Sequence, residues 1–194
     1  MPGTGKSTLA NYYFKENKKK IKNLIIIDGD DFRKTMNNDL GYTIKDREKN
    51  AIRLIKIAKY FSDQKVNVII SANLIFQKYR NWCKKHIADF LEIYLVTTPQ
   101  LLITRNRKKK FLNSNKKGKK NILGFDLIVK KPSKPNIVIN NSFSKKIFLK
   151  NVKLINLEIK KRKLKIHWLK MKYIIILGIQ NSGSGAVHDY LASR

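Results

Sequence analysis

The stretch that decides the fold opens the chain: Gly3-Thr4-Gly5-Lys6-Ser7-Thr8. It matches most of the pattern Gly-x-x-x-x-Gly-Lys-Ser/Thr, in which backbone N–H groups of a glycine-rich loop converge on phosphates. The helix that begins near Ser7 points its positive end at the same anion. Lys6 is predicted to reach the terminal phosphates, and the Ser7 hydroxyl is predicted to bind Mg²⁺. The motif therefore predicts a nucleotide-binding loop.

The loop lacks its usual upstream context. A buried strand normally leads into such a loop, and the first glycine of the pattern would lie two residues before Pro2. The central strand of the sheet is what positions the loop. We therefore expect a start that is misplaced or truncated, with the first strand missing from the N-terminus, or another segment that supplies this strand.

Downstream, apolar runs rich in β-branched residues alternate with helical patterns. Each run is nearly continuous, which is typical of a parallel strand buried on both faces. The predicted strands are Leu24–Asp28, Val66–Ser71, Leu91–Val96 and Asn136–Asn140. The predicted helices are Ser7–Asn17, which follows the glycine loop, and then Asp46–Asp63, Gln77–His86 and Thr98–Arg105. This alternation predicts an α/β fold: an open parallel sheet with helices on both faces.

Two basic segments stand outside this pattern. Lys108–Lys120 is polar and without periodicity, and it is interpreted as a loop or lid, or as a plain insertion. Lys145–Leu169 is predicted to form a long basic helix. We expect three segments along the chain: an α/β domain over 1–142, a basic helix within 143–170, and a separate unit over 171–194.

The composition limits the possible partners. With 43 Lys+Arg against 13 Asp+Glu, the 194 residues carry a formal charge of +30, and 42% of them are hydrophobic. The basic runs contain no interleaved aromatic residues, so we expect a uniformly basic surface rather than a nucleic-acid site. The single cysteine, Cys83, excludes an internal disulfide and a cysteine-rich zinc site. No apolar run reaches the length of a membrane span, so a cytoplasmic location without membrane contact is expected.

An acidic turn follows the first predicted strand. Asp28-Gly29-Asp30-Asp31-Phe32-Arg33 lies at the carboxyl end of that strand, where open α/β sheets bind ligands. One carboxylate can organise Mg²⁺, and another can accept the proton of an attacking hydroxyl group. Arg33 could clamp an anionic acceptor. The alternative interpretation is that the aspartates only cap a helix.

These motifs resemble, in their order along the chain, the adenylyl-sulfate kinase (APS kinase) family of P-loop kinases. The resemblance covers about residues 1–142 and rests on Gly3–Thr8, Asp28–Arg33, Asn38–Tyr42 and Asp46–Asn50. It implies transfer of the ATP γ-phosphate to the 3′-hydroxyl of adenylyl sulfate, which forms PAPS in sulfate activation. The implied partner is a small nucleotide substrate, and a homodimer is compatible with this interpretation.

For the donor side, the resemblance implies a site for ATP and Mg²⁺. It assigns ATP to the loop residues Gly3, Thr4, Gly5, Lys6, Ser7 and Thr8. Ser7 and Asp28 would hold the metal ion, and Arg105 would lie near the nucleotide base. The implied catalytic residues are Lys6, Asp28 and Asp30.

For the acceptor side, the resemblance implies a second group of residues. Tyr42 could stack on an adenine, and Lys108 matches a position in the family's lid. The implied acceptor-binding residues are Asp30, Arg33, Tyr42, Arg47, Asn50 and Lys108.

The departures from the family pattern are concentrated on the acceptor side. Where the family has Ser-Phe-Ile-Ser-Pro-Tyr-Arg, this chain has Ser71-Ala72-Asn73-Leu74-Ile75-Phe76-Gln77. Such a pattern resembles APS-kinase-like proteins of surface-polysaccharide gene clusters. Some of those phosphorylate another nucleotide-linked acceptor, such as cytidine diphosphoramidate. A third interpretation is an inactive, truncated kinase.

The C-terminal segment looks like a fresh start. The stretch 171–185 is a Met, an apolar run and a glycine-rich turn, and it resembles the opening of a sulfotransferase-type P-loop domain. One interpretation is therefore a fragment of a second P-loop domain. The other is that the run Tyr173–Gly178 inserts into the sheet as a substitute for the missing strand.

Overall fold

The computed structural model describes residues 3–36, 39–98, 101, 130–142, 144–165 and 174–178. The helices in this part of the chain are α1 (Lys6–Asn17), α2 (Gly29–Thr35), α3 (Ile44–Asp63), α4 (Gln77–His86) and α5 (Lys145–Lys165). The strands are β1 (Leu24–Asp28), β2 (Asn67–Ala72), β3 (Phe90–Val96), β4 (Ile137–Asn140) and β5 (Ile174–Gly178).

All five strands run parallel in one sheet, in the order β1-β2-β5-β3-β4. The C-terminal strand β5 is thus the central strand. It pairs with Val68–Ala72 of β2 on one side and with Phe90–Tyr94 of β3 on the other. One of the two interpretations of the C-terminal run placed it in this central position of the sheet.

Helices cover both faces of the sheet, as predicted. On one face, α1 and α5 pack on alternate residues of the strands, and the buried members include Leu9, Tyr13, Ile93, Phe148 and Ile155. On the other face, α3 and α4 bury Leu54, Ile55, Val68, Ile70 and Cys83. Burial raises the pKa of the Cys83 thiol to about 12, so this cysteine is a packing residue.

The expectation that all four predicted strands are buried on both faces is correct only for the inner ones. Every residue of β2 is buried, but all five residues of β1 are half-buried, and β4 alternates between buried and exposed residues. β1 and β4 are the outer strands of the sheet, which explains the difference. A run of apolar residues alone does not distinguish an edge strand from a central one.

Local chemistry sets several helix ends. α3 begins at Ile44, two residues before the predicted start, because Thr43 and Asp46 form a reciprocal capping box. α2 is only seven residues long, and the sequence indicates it only through the interpretation that the aspartates cap a helix. Most of the predicted helix 98–105 and all of the loop 108–120 lie outside the described residues. Among the described residues, no helix combines the length and apolar character that a bilayer crossing requires.

A buried ion cluster joins the sheet to α4. Glu92 on β3 and Arg80 on α4 are both almost fully buried, and the Arg80 Nε lies 3.0 Å from a Glu92 carboxylate oxygen. The other carboxylate oxygen lies 2.8 Å from the Lys84 Nζ. Burial lowers the pKa of Arg80, and the Glu92 charge partly offsets this effect. The cluster fixes α4 on the sheet, and the sequence patterns do not indicate it.

Replacing Glu92 by Gln will lower the free energy of unfolding by about 3 to 5 kcal/mol, because it leaves the buried Arg80 guanidinium without its counter-charge. Chemical denaturation measures this change. The matched control is Asp63→Asn, which removes an exposed i,i+4 pair with Lys59 and will change stability by less than about 0.5 kcal/mol. A Glu92→Gln effect as small as that of the control would contradict this account of the cluster.

Candidate active site

The glycine loop has the backbone conformation that its sequence requires. Gly3 and Gly5 have φ angles of 85° and 91°, in the left-handed region that glycine adopts without strain. Gly5 is the N-cap of α1, with no side-chain hydrogen bond to the first turn. The N–H groups at the start of α1 therefore face an anion-binding position.

A residue that sequence reasoning missed supports this loop. The Asn141 Nδ2 donates a hydrogen bond of 2.8 Å to the carbonyl of Thr4, and the Thr97 hydroxyl donates one of 2.8 Å to the Asn141 carbonyl. Thr4 itself is buried, so its side chain does not line the cleft. The available signal was the position of Asn141 directly after β4, at the carboxyl edge of the sheet.

The two predicted metal-binding side chains lie together. The Ser7 hydroxyl donates a hydrogen bond of 2.6 Å to the Asp28 carboxylate, and it lies 3.2 Å from the Ser71 hydroxyl. These are the hard oxygen donors that Mg²⁺ prefers. In the described part of the chain, no three His, Cys, Asp or Glu side chains are grouped to hold a metal by themselves. The residues fit a Mg²⁺ that takes its remaining ligands from phosphates and water.

The acidic turn contributes both to the candidate site and to the fold. The Asp28 carboxylate accepts a hydrogen bond of 3.0 Å from the Asp30 N–H and so caps α2, as the alternative interpretation expected. Gly29 lies against the end of β2, where an added Cβ would sit 2.7 Å from the Ala72 Cβ. This close approach keeps Asp28 and Asp30 at the edge of the sheet beside the loop.

The environment of Lys6 makes its charge sensitive to pH. Burial lowers the pKa of Lys6 to about 8, and the charges of Asp30 and Asp28 counteract this effect. The lysine predicted to reach the phosphates thus lies between the glycine loop and both acidic residues of the turn. A bound phosphate chain would favour its charged form.

From this we predict proton uptake when ATP binds at pH 8.5 to 9. Before ATP binds, Lys6 is partly neutral at this pH, and ATP will raise its pKa, so affinity will fall as the pH rises above about 8. Calorimetry in buffers of different ionisation enthalpy measures this uptake, and ATP is already fully ionised in that range. Lys6→Arg is the control, because arginine stays protonated. Equal uptake in both proteins would rule out Lys6 as the source.

On the other side of the turn, arginines surround Tyr42. Arg33 is buried and donates a hydrogen bond to the carbonyl of Gly41, and the Arg47 Nε donates one of 2.9 Å to the carbonyl of Tyr42. The two guanidinium groups lie 4.9 and 5.3 Å from the centre of the Tyr42 ring. Burial lowers the pKa of Arg47, and the neighbouring Arg33 charge adds to this effect. Two cations so close together are suited to an anionic ligand.

A single cleft of about 250 Å³ brings most of the predicted residues together. Its lining includes Gly3, Gly5, Lys6, Ser7, Thr8, Asp28, Asp30, Arg33, Arg47 and Asn50. Thr4 and Tyr42 are not in this lining, and Tyr42 is about half exposed. Arg105 and Lys108 lie outside the described residues. The glycine loop and the arginine pair thus line the same cleft.

The altered segment 73–77, which follows β2 and departs from the family pattern, points mostly toward the interior of the protein. Leu74 is buried in the core, and its carbonyl accepts a hydrogen bond from Arg80. The Gln77 side-chain oxygen accepts hydrogen bonds from Arg80, at 2.6 Å, and from the Ser133 N–H, at 3.2 Å. These two departures from the family pattern therefore stabilise α4 and the segment before β4.

Comparisons with known proteins agree with this architecture. The family model described as adenylylsulphate kinase matches residues 1–140. A cytidine diphosphoramidate kinase from Campylobacter jejuni is 31% identical over 142 residues, which are 73% of this chain and 82% of that protein. An adenylyl-sulfate kinase from Prochlorococcus marinus is 32% identical over 142 residues, 72% of this chain and 71% of that protein.

A solved structure shares the fold. The Mycobacterium tuberculosis APS kinase CysC in complex with AMPPNP and APS superposes with a TM-score of 0.71 at 23% identity, covering 82% of this chain and 93% of that one. With a matching family model over most of its length and the glycine loop, acidic turn and arginine pair on one cleft, the chain belongs to the adenylylsulphate kinase family of P-loop phosphotransferases.

Proposed function

We propose that this protein transfers the γ-phosphate of ATP to the 3′-hydroxyl of adenylyl sulfate and so forms PAPS. The observation that carries the proposal is the single cleft that is lined both by the glycine loop and by Arg33 and Arg47. Asp28 and Asp30 line the same cleft, and the Asp30 charge acts on both Lys6 and Arg47. This arrangement suits a donor nucleotide and an anionic acceptor that meet over the acidic turn.

The residues of the cleft have separate roles in this proposal. The glycine loop and Lys6 hold and orient the ATP phosphates, while Ser7 and Asp28 hold Mg²⁺, which neutralises phosphate charge when bound. Asp30 accepts the proton of the acceptor hydroxyl. The hydroxyl oxygen bonds to the γ-phosphorus as the bond between the γ-phosphorus and the ADP oxygen breaks. Arg33 and Arg47 bind the anionic part of the acceptor. Catalysis then depends on positioning and charge neutralisation.

Two observations favour a second acceptor, cytidine diphosphoramidate: the similarity to one relative and the sequence of one segment of this chain. The Campylobacter jejuni cytidine diphosphoramidate kinase matches over 82% of its length. The segment 73–77 also departs from the family pattern on the acceptor side. Both acceptors combine a nucleoside with an anionic linkage, so the same cleft can be considered for either.

The test is a coupled measurement of ADP formation with Mg²⁺-ATP and each acceptor in turn. Turnover with adenylyl sulfate at a kcat/KM at least about tenfold above that with cytidine diphosphoramidate supports the proposal. The reverse preference assigns the second acceptor. Absence of acceptor-dependent ADP formation with both would contradict the proposed function and agree with an inactive kinase.

A further inference from the structure

Two amide side chains that line the cleft have unsatisfied oxygen atoms. Asn50 on α3 is buried, and Asn73 follows the last residue of β2. The Oδ1 atoms of both side chains are buried and have no hydrogen-bond partner among the described residues. A buried amide oxygen without a partner is energetically costly, and a bound ligand is one way to satisfy it.

Within the altered segment, Asn73 differs from its neighbours. Residues 73–77 are all described, and of these Asn73 lines the cleft. Leu74 is packed in the core, and Gln77 is held by Arg80 and Ser133. If this segment contacts the acceptor directly in the cleft, Asn73 is therefore the residue that makes the contact.

The surroundings of Asn73 indicate what it would contact. Ala72, the chain neighbour of Asn73, lines the cleft together with Ala51 and Leu54, and these three residues provide apolar surface. Arg33 and Arg47 supply the positive charge nearby, and the Arg33 Nε is also buried without a hydrogen-bond partner among the described residues. An apolar wall with amide groups suits the face and edge of a base, while the arginines suit a phosphate.

We infer that Asn73 hydrogen-bonds the base edge of the nucleotide acceptor and, together with Asn50, determines which acceptor is used. The inference rests on the proposed function, because it assumes that an acceptor nucleotide occupies the cleft. It adds a specificity residue that the family resemblance did not supply. The amide offers both donor and acceptor groups, which matches the paired groups on the edge of a base.

Asn73→Leu tests this inference because leucine has a similar size and no hydrogen-bonding atoms. We expect KM for the preferred acceptor to rise about 10- to 100-fold, while KM for ATP changes less than twofold. Asn81→Leu is the matched control, since Asn81 lies on the exposed side of α4 and bonds Gln77. An unchanged acceptor KM, or a parallel rise of both KM values with a lower melting temperature, would overturn the inference.

A binding measurement separates this inference from the proposed function. With the donor site saturated by AMPPNP, calorimetry gives the Kd of AMP and CMP for the wild-type and Asn73→Leu proteins. The comparison uses whichever probe binds the wild type better. A Kd at least about tenfold higher for Asn73→Leu than for the wild type supports the inference, even if no acceptor is turned over. Equal Kd values in both proteins overturn it, even if phosphoryl transfer is observed.

Discussion

Lys6→Ala will lower kcat/KM for phosphoryl transfer at least about 100-fold, which is the effect of removing one preorganised hydrogen-bond donor from a transition state. Lys6 lies in the cleft between the glycine loop and the two aspartates of the acidic turn. We propose that its positive charge interacts with the terminal phosphates of ATP. The measurement is steady-state ADP formation with saturating acceptor and varied ATP.

The control for Lys6→Ala is Lys15→Ala, on the same helix. Lys15 is exposed in the last turn of α1, so its removal changes the charge equally without touching the cleft. We expect kcat/KM of this variant within about twofold of the wild type. Circular dichroism checks that both variants are folded. Normal turnover in a folded Lys6→Ala protein would refute the assignment of the loop.

Deleting residues 171–194 will lower the melting temperature by at least about 10 °C or abolish cooperative unfolding. We propose that β5 completes the sheet, because it fills the central position between β2 and β3. Without it, Val68–Ala72 and Phe90–Tyr94 would each lose backbone partners in the middle of the domain. α1, which follows the glycine loop, also contacts β5. Thermal unfolding followed by circular dichroism gives the change.

A shorter deletion separates the role of the strand from that of the last residues of the chain. Removing residues 179–194 retains β5 and will leave the melting temperature within about 3 °C of the wild type. A synthetic peptide of residues 171–180, added to the longer deletion, will restore stability if strand addition is the cause. An unchanged melting temperature in the 171–194 deletion would reject this role and favour the interpretation of a separate fragment.

The parts of the fold with strong local signals were predictable. β1 and α4 have the predicted bounds, because each is a regular run with clear ends. The family resemblance implied that Ser7 of the glycine loop and Asp28 of the acidic turn hold one metal ion. The Ser7–Asp28 hydrogen bond agrees with that placement, whereas the catalytic and binding roles remain predictions.

The features that escaped prediction depend on contacts between distant segments. Glu92 is an acidic residue within an apolar strand, and its partners Arg80 and Lys84 lie on another element. Asn141 supports Thr4 across 137 residues of chain. The C-terminal run was interpreted first as a fragment of a second domain and only second as a strand of this sheet, because an apolar strand followed by glycine suits either location. The strands that pair with this run distinguish the two locations, and the hydrophobic periodicity of the sequence carries no information about strand pairing.

The most direct test of the central claim follows the phosphate itself. ATP labelled with ¹⁸O in its γ-phosphate is incubated with the purified protein, Mg²⁺ and adenylyl sulfate or cytidine diphosphoramidate, and the products are analysed by mass spectrometry. We predict one labelled phosphate on the ribose of the acceptor for each ADP formed. Label that appears only in inorganic phosphate, or remains in ATP, would contradict the account of this protein as a nucleotide kinase.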